Sequence, residues 1–261
     1  TVMQAVYQPL SRDGVPLLFT PRRAAELIKY GANAFLAVKI TFINEMANLC
    51  EAVGADVKDI SRGIGLDGRI GSKFLHAGPG FGGSCFPKDL KALVQTGDRV
   101  GYPLQIAGAA EKVNHEQHLR MVDKIREACG GLKGKTVGVL GLSFKPNTND
   151  MREAPCLTIL PELMKEGAKV RAYDPASMEE SVKLLPEMIP CHDTYDVAQG
   201  ADALVIMTEW NQFRNLDFEK LKGIMRKPVL LDLRNVYDSD RVVPHGFTHV
   251  SVGRLTQAPG K

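Results

Sequence analysis

The second half of this sequence alternates between apolar strand candidates and stretches of helical period, and this pattern constrains the fold more than any other feature. The strand candidates are TVGVLGLSF (136–144), KVRAYDP (169–175), ADALVIMTEW (201–210) and PVLLDLRNV (228–236). The helical stretches between them lie at 153–166, 177–185, 193–199 and 213–226. Alternating strands and helices form parallel sheets covered on both faces, so the pattern predicts a Rossmann-like, doubly wound α/β domain.

One long helical pattern dominates the first half. Thr20 offers an N-cap and Pro21 a first helical position, and the pattern runs to Val53 before it stops at Gly54. Its apolar positions form two stripes, at 35, 38, 42, 46, 49 and 53 and at 36, 40, 43, 47 and 50. A helix that is apolar on two sides is buried on two sides. We therefore expect a helix of about 50 Å that joins two domains or forms the core of a dimer.

Shorter elements accompany this helix. PLLFT (16–20) predicts a short strand, and residues 63–85 combine many glycines with little periodicity. Further helices are expected at 56–62, 87–101 and 104–129. A loop as long as 63–85 in a compact domain is usually functional. We place a domain boundary near 130–135, where Gly130 and Gly131 stop the last of these helices.

Composition excludes several classes of protein. The net charge is +3 and the basic residues are scattered, so we expect no nucleic-acid partner. The five cysteines are widely spaced and contain no CxxC pair, which suits the cytoplasm and supports no zinc site. No unbroken apolar stretch approaches about 18 residues, so we expect no membrane span. We also expect no other metal site.

Cys85 is the most informative single residue. It precedes Pro87, which marks a first helical turn, so we expect Cys85 near a helix N-terminus. There the helix dipole and free N–H groups stabilise a thiolate, and Lys88 adds positive charge. Asp89 lies one turn further on and can hold a water or move a proton. The alternative is a small buried hydrophobe, which is what most lone cysteines are.

Two further groups of polar residues are candidates for a site. Lys29 and Asn33 share a face of the long helix with Asn44 and Asn48, either as a solvated stripe or as groups that stabilise an oxyanion in a cleft. The segment 144–153 follows a predicted strand, at the sheet edge where α/β proteins bind ligands. Two other strand ends rim the same crevice, Thr208–Trp210 and Asp232–Asn235.

The segment 144–153 has two interpretations. Lys145 and Arg152 supply positive charge there, and Phe144 can stack on a base. The alternative is a Pro-Asn turn in which Asp150 caps a helix.

The glycines of the loop do not form a dinucleotide fingerprint. Gly78, Gly80 and Gly83 spell GxGxxG, but no apolar strand precedes them and Pro79 interrupts the turn. The predicted strand at 136–144 lacks the fingerprint as well. We therefore expect no complete NAD site in this chain.

GPGFGGSCFPKD (78–89) resembles the nucleotide-sugar 6-dehydrogenases of the UDP-glucose/GDP-mannose dehydrogenase family. Other blocks resemble the same family in the same order, namely ELIKYGANAFLAVKITFINEMANLC, LGLSFKPNTNDMRE and DALVIMTEW. GRIGSKFLHAG and the DLRN ending look more like the UDP-glucose enzymes than the GDP-mannose enzymes. The resemblance implies a four-electron oxidation of UDP-glucose to UDP-glucuronate, with NAD as cofactor, and a homodimer built through the long helix.

The resemblance also implies roles for single residues. Cys85 would attack the aldehyde and carry the thioester, Lys29 and Asn33 would stabilise the oxyanion or hold a catalytic water, and Asp89 is the carboxylate beside the nucleophile. Arg69 matches an arginine that reaches the sugar of the neighbouring subunit. The nucleotide-sugar pocket would be formed by Phe74, Leu75, His76, Ala77, Gly78, Gly82, Phe144 and Lys145.

Three cations complete the implied site. Lys88 and Arg152 match contacts to NAD made outside the family's first domain. Arg234 matches a further substrate cation, with a one-residue ambiguity toward Asn235.

The sequence also departs from the family, which carries an N-terminal Rossmann domain with GxGxxG. Residues 1–20 resemble only the tail of that domain, 21–132 the central dimerisation domain with the catalytic cysteine, and 133–261 the UDP-sugar-binding domain. We therefore expect the chain alone not to oxidise UDP-glucose. The alternatives are a stand-alone sugar-nucleotide-binding or dimerisation module, and a cysteine acyl-transfer hydrolase, for which only His76 is a local base.

Overall fold

The computed structural model describes residues 2–11 and 14–260, with helices first and a sheet after them. The first part contains α1 (Val2–Ser11), α2 (Arg22–Val53), α3 (Val57–Gly65), α4 (Phe86–Arg99) and α5 (Gln105–Cys129). The second part contains β1 (Thr136–Leu140), α6 (Cys156–Lys165), β2 (Lys169–Tyr173), α7 (Met178–Leu184), β3 (Ile189–Pro190), α8 (Thr194–Ala198), β4 (Ala203–Ile206), α9 (Phe218–Ile224), β5 (Val229–Asp232) and β6 (Thr248–Ser251).

The sheet has six parallel strands in the order β3-β2-β1-β4-β5-β6. The prediction of a doubly wound parallel α/β domain after a long helix is confirmed. The strand order reverses between β1 and β4, so the loops after these two strands open a crevice at their carboxyl ends. The loops that follow β1 and β4 therefore carry the groups best placed to meet a ligand.

The strands are shorter than the apolar segments that predict them. β1 ends at Leu140. The Gly141 N–H still donates to Tyr173 O, but the amides of Leu142 and Ser143 donate to the carboxylate of Asp174 rather than to a neighbouring strand. Two edge strands were missed, since β3 has only two residues and includes a proline, while β6 has only four. Such short edge strands carry little periodic signal.

The long helix α2 extends over 32 residues and ends at Gly54, as predicted. Gly54 adopts the left-handed conformation (φ 76°) that closes helices, and its N–H donates to the carbonyl of Cys50. The short strand predicted at 16–20 is wrong, because residues 15–21 form no regular structure. A strand needs a neighbour to bond its backbone, and the described sheet gives this segment none.

α5 and the last turns of α2 join the two parts of the chain. The middle of α2 packs against α4 and α5, with Ala34 and Ala37 against Leu90 and Ala110. Its last turns enter the main core, which continues into the sheet domain through α5 and α6. None of the described helices is long and apolar enough to cross a membrane.

Candidate active site

Asp89 is the centre of a buried ionic cluster between α2 and α4. Its Oδ2 accepts hydrogen bonds from Lys29 Nζ at 3.1 Å and from Asn33 Nδ2 at 2.6 Å, and its Oδ1 accepts from Lys88 Nζ at 2.5 Å. Asp89 is only 3% exposed, whereas both lysines reach solvent. Lys29 and Asn33 lie one turn apart on α2. Both meet Asp89, which also bonds Lys88, so the structure brings these four predicted residues together.

The charge of this cluster follows from those bonds. Burial alone raises the pKa of Asp89, but the bonds from Lys88, Lys29 and Asn33 outweigh it and hold the pKa below its usual range near 3.8. The pKa of Lys88 is raised by its bond to the same carboxylate. Asp89 is therefore an ionised acceptor at neutral pH, and the charged Lys88 lies beside it.

Cys85 lies at the start of α4, one turn before Asp89. Its carbonyl accepts the Asp89 N–H at 2.9 Å, which fixes the thiol and the carboxylate on one turn of the helix. The structure describes all five cysteines, and Cys85 is the exposed one while the other four are buried. This exposed thiol therefore lies at the N-cap of the 14-residue helix α4.

Lys88 and Arg152 both lie within electrostatic reach of Cys85. The bond to Asp150 is the main cause that raises the pKa of Arg152, and the charge of Cys85 adds to it. Cys85 contributes to the raised pKa of Lys88 in the same way, after Asp89. The thiol therefore sits in positive surroundings contributed by both parts of the chain.

The glycine-rich loop before Cys85 is held by buried side-chain amides. Asn44 Oδ1 accepts from Gly78 N at 2.8 Å, and Gln117 Nε2 donates to Gly78 O at 2.9 Å. Asn114 bonds both the N–H and the carbonyl of Phe81. These bonds fix the loop between α2 and α5. The solvated-stripe alternative is wrong for Asn44, which is buried, whereas Lys29 on the same face is exposed.

Sequence reasoning missed Asn114 and Gln117. Both belong to α5 and lie three residues apart on its buried face. A pair of amides on the apolar face of an amphipathic helix was the available signal, because a buried amide needs partners.

A cavity of about 460 Å³ lies between this loop and the carboxyl end of the sheet. Its described lining contains most of the predicted substrate residues, namely Phe74, His76, Gly78, Gly82, Phe144, Lys145 and Arg234. It also contains Lys73, Glu209 and Asn44, which were not predicted to bind substrate. Gly82 and Phe86 line the cavity, and Cys85 lies between them in the chain without being part of the described lining.

The cavity favours anions. Lys73, Lys145 and Arg234 are positive, and Glu209 is the only acidic residue among the described lining. Glu209 pairs with the Arg234 guanidinium at 3.2 Å, and Arg234 Nε also donates to Met207 O at 2.8 Å. These contacts orient the Arg234 guanidinium before any ligand binds. Glu209 forms no ion pair with the other two cations, Lys73 and Lys145.

Arg234 lines the cavity, whereas Asn235 points elsewhere. The Asn235 side chain bonds both polar backbone groups of Val252 and so ties the end of β5 to the end of β6. This placement favours Arg234 over Asn235 as the residue that meets a ligand.

Three predicted residues lie differently from the rest. Leu75 and Ala77 are buried and lie outside the described lining of the cavity. Arg69 lies outside the described lining, pairs with Asp67 at 2.6 Å, and has a side chain that is 90% exposed. Within this chain Arg69 is therefore not part of the cavity.

The sheet domain does not fit NAD. In a dinucleotide-binding sheet an acidic residue after the second strand accepts the ribose hydroxyls. Asp174 follows β2, but its Oδ2 already accepts from Leu142 N, Ser143 N and Trp210 Nε1, and its Oδ1 from Ala176 N and Ser177 N. The carboxylate thus fills the turn after β1, where a pyrophosphate would lie.

No group of three or more possible metal ligands occurs among the described residues. His245 and His249 are four residues apart, yet His245 bonds Glu219 and His249 bonds Ser239. They therefore form no shared ligand pair.

Comparison with solved structures identifies the class of protein with this fold and site. A UDP-glucose dehydrogenase from the hyperthermophilic archaeon Pyrobaculum islandicum superposes with a TM-score of 0.85 and 35% identity, over 96% of this chain and 55% of that one. A GDP-mannose dehydrogenase from Pseudomonas aeruginosa superposes with a TM-score of 0.58 and 26% identity, over 96% of this chain and 57% of that one. The class is that of the sugar-nucleotide dehydrogenases.

Sequence comparison names the family. The profile of the central domain of the UDP-glucose/GDP-mannose dehydrogenase family matches residues 23–116, and that family's UDP binding domain matches residues 138–239. The chain belongs to the UDP-glucose/GDP-mannose dehydrogenase family. A UDP-glucose 6-dehydrogenase from Rhizobium meliloti is 54% identical over 97% of this chain, and TuaD of Bacillus subtilis, also a UDP-glucose 6-dehydrogenase, is 44% identical over 97% of it. The chain spans 58% and 54% of the length of these two relatives.

Proposed function

We propose that this chain supplies the sugar-nucleotide site and the cysteine nucleophile of a UDP-glucose 6-dehydrogenase. The observation that carries the proposal is the cationic cavity whose wall leads through Gly82 to the exposed thiol of Cys85. Lys145 and Arg234 suit a diphosphate, and the aromatic rings of Phe74 and Phe144 suit a base. Relatives named UDP-glucose 6-dehydrogenase match nearly the whole chain, which favours UDP-glucose over GDP-mannose.

Cys85 is the proposed nucleophile. The thiolate adds to the C6 aldehyde of the sugar nucleotide, a carbon–sulfur bond forms, and the carbonyl electron pair moves to oxygen. Lys29 and Asn33 are the proposed donors to this oxyanion, because each carries N–H groups beyond the one bound to Asp89. After the thiohemiacetal is oxidised to a thioester, water adds to the carbonyl carbon. The carbon–sulfur bond then breaks with its electron pair going to sulfur, so the Cys85 thiolate is regenerated and the sugar carboxylate is released.

Asp89 is the proposed positioning carboxylate of this reaction. Its carboxylate accepts hydrogen bonds from Lys29, Asn33 and Lys88 and so holds the three side chains in place. Because Asp89 is ionised, it can also accept a proton from the water that hydrolyses the thioester.

Oxidation of the alcohol and of the thiohemiacetal needs a hydride acceptor, and the family's NAD is the proposed one. The described residues of the sheet domain do not form its site. Lys88 and Arg152, which stand near Cys85, are the proposed contributions of this chain to a site built with further protein. The chain alone is accordingly proposed to be inactive. The enzyme is proposed to belong to the cytoplasm, where the five free thiols of this chain stay reduced.

A homodimer through α2 is the proposed assembly. Ile28, Phe35, Phe42 and Leu49 lie seven residues apart on one face of α2, and each is roughly half exposed. A stripe of this spacing is the contact seam of packed parallel or antiparallel helices. A groove beside Phe35 is lined by Tyr102, Leu104 and Ile106. These side chains widen the apolar face of α2. Arg69 is proposed to reach the partner's cavity across this interface, since its side chain projects away from its own.

Calorimetric titration of the purified chain with UDP-glucose, and separately with GDP-mannose, tests the proposed substrate. We expect UDP-glucose to bind one site per chain and GDP-mannose to bind much more weakly. Arg234→Ala should weaken UDP-glucose binding, whereas Arg214→Ala, a basic residue outside the cavity, should not. Tighter binding of GDP-mannose, or no binding of either sugar nucleotide, contradicts the proposal.

A further inference from the structure

The carboxylate of Asp174 joins the loops that follow β1 and β4. Asp174 comes directly after β2 and is only 1% exposed. Its Oδ2 accepts hydrogen bonds from Leu142 N at 2.7 Å, from Ser143 N and Oγ at 3.0 Å each, and from Trp210 Nε1 at 3.1 Å. Leu142 and Ser143 belong to the loop after β1, and Trp210 belongs to the loop after β4. One buried oxygen therefore holds the two loops at the point where the strand order reverses.

The other oxygen of Asp174 fixes the carboxylate itself. Oδ1 accepts two backbone N–H groups of the turn after β2, at 2.9 Å each. The donors to both oxygens are neutral N–H and O–H groups, and together they satisfy the buried charge. An asparagine has a single oxygen, so it cannot accept both sets of donors.

Each loop places cavity-lining residues next to one of these donors. Phe144 and Lys145 line the cavity that we propose for the sugar nucleotide, and they directly follow Ser143. Glu209 lines the same cavity and directly precedes Trp210. The carboxylate lies outside the described lining, yet it holds the neighbours of residues from two sides of the wall.

The two loops also contact each other beside the carboxylate. Thr208 Oγ1 donates to Ser143 O at 2.6 Å. A side chain on Gly141 would place its β carbon 2.4 Å from the β carbon of Thr208. Because the loops are packed this closely, a displacement of one displaces the other.

We infer that Asp174 is a positioning residue for the sugar-nucleotide cavity, whose carboxylate holds the loops after β1 and β4 where Phe144, Lys145 and Glu209 can meet the ligand together. This inference rests on the proposed function. A cavity that is held in its binding shape before the ligand arrives binds more tightly, because less conformational freedom is lost on binding.

Asp174→Asn tests the inference, because it keeps the size of the side chain but leaves one oxygen for two sets of donors. Calorimetry at a temperature where circular dichroism shows the variant folded should find UDP-glucose binding weakened about tenfold or more.

Asp202→Asn is the matched control. Asp202 is equally buried in the same domain, but it accepts from Thr136 N at 2.9 Å and from Arg226 Nη1 at 2.8 Å, at the opposite end of the sheet. Its substitution should lower stability and leave the affinity for UDP-glucose within about threefold. The pair of variants therefore separates a role in shaping the cavity from a role in stability alone.

Trp210 provides a spectroscopic readout and a second variant. It is the only tryptophan of the chain, so its indole N–H gives one resonance in nuclear magnetic resonance spectra. That resonance should move upfield in Asp174→Asn, where its bond to the carboxylate is lost, and stay in place in Asp202→Asn. Trp210→Phe removes this one donor and keeps an aromatic ring, and it should weaken UDP-glucose binding about threefold or more. It tests the inference even where Asp174→Asn fails to fold.

The outcomes are distinct. An unchanged affinity in Asp174→Asn, equal losses of affinity in Asp174→Asn and Asp202→Asn, or an unchanged affinity in Trp210→Phe overturns the inference and leaves the proposed function standing. Failure of the unmodified chain to bind UDP-glucose overturns the proposed function, and the inference with it.

Discussion

The carbonyl oxygen of Glu153 lies 2.2 Å from the point where a side chain on Gly82 would place its β carbon. Gly82 belongs to the loop before Cys85, and Glu153 belongs to the segment between β1 and α6. The neighbouring Gly83 N–H donates to Arg152 O at 2.9 Å. The loop that carries the thiol is therefore seated directly on the backbone of the sheet domain, with no room for a side chain between them.

Gly82→Ala should disrupt this contact. Backbone cannot yield as a flexible side chain does, so we expect a loss of about 1–3 kcal/mol in the free energy of unfolding. UDP-glucose affinity should fall as well, because Gly82 lines the cavity. Urea unfolding and calorimetry measure the two effects.

Gly108→Ala is the control for that change. Gly108 lies within α5 and has no atom near its would-be β carbon, so alanine there should be neutral or stabilise by about 0.5–1 kcal/mol. Equal stability of the two variants would show that the close approach at Gly82 is not a constraint.

Asp89→Asn should destabilise the chain by about 1–3 kcal/mol, because Lys29, Asn33 and Lys88 lose their charged acceptor. This loss of stability is small because both lysines are largely exposed, so solvent screens their charges. The folded pKa of Asp89 lies below its unfolded value, so its contribution is complete at neutral pH and is lost as pH falls through the folded pKa.

Chemical denaturation at neutral pH measures the Asp89 effect. Glu179→Gln is the control, because Glu179 pairs with Lys183 on the exposed surface of α7, where solvent screens the pair and its loss should cost little. A cost at Asp89 no larger than at Glu179 would contradict the role of the buried cluster.

His118 and His249 should make the chain less stable in mild acid. Burial lowers the pKa of each to about 4, from an ordinary value of 6.5. Between those two pKa values the unfolded chain binds protons that the folded chain does not bind. The free energy of unfolding therefore decreases as the pH is lowered through this range. We expect a loss of about 2 kcal/mol per histidine between about pH 7.5 and about pH 5.

His249→Asn should remove about half of that pH-dependent loss. The comparison is the slope of unfolding free energy against pH, which is independent of the variant's stability at neutral pH. An unchanged slope would mean that His249 titrates normally in the folded chain.

Phe35→Glu should prevent dimerisation through α2. The substitution puts a charge in the centre of the apolar stripe formed with Ile28, Phe42 and Leu49, where burial against a partner would be costly. Analytical ultracentrifugation should show dimers for the unmodified chain and monomers for the variant. Val182→Glu changes an exposed apolar residue on α7 and should leave the dimer intact. A monomeric unmodified chain would refute the proposed assembly.

Much of the fold could be predicted from sequence because its strongest elements are long and periodic. The limits of α2 were predicted within one residue, since Gly54 is a clear stop. β1 and β4 were found because strands buried on both faces are continuous apolar runs. β3 and β6 carry no such run, and the segment 16–20 has strand composition without a strand to pair with.

The site could be predicted in its residues but not in its contacts. Spacing placed Lys29 with Asn33 and Cys85 with Asp89, each pair one helical turn apart. That the two pairs meet at one carboxylate depends on how α2 packs against α4, which local sequence does not encode. The role of Asn114 depends likewise on a loop folding onto α5 from 33 residues away.

Alkylation of Cys85 tests the central claim most directly, because it links the cavity to the thiol. Mass spectrometry follows iodoacetamide labelling of Cys85 with and without saturating UDP-glucose or GDP-mannose. We predict that UDP-glucose slows labelling about tenfold or more, while GDP-mannose has little effect. An unchanged labelling rate with UDP-glucose bound would show that the sugar does not reach Cys85, and would contradict the account.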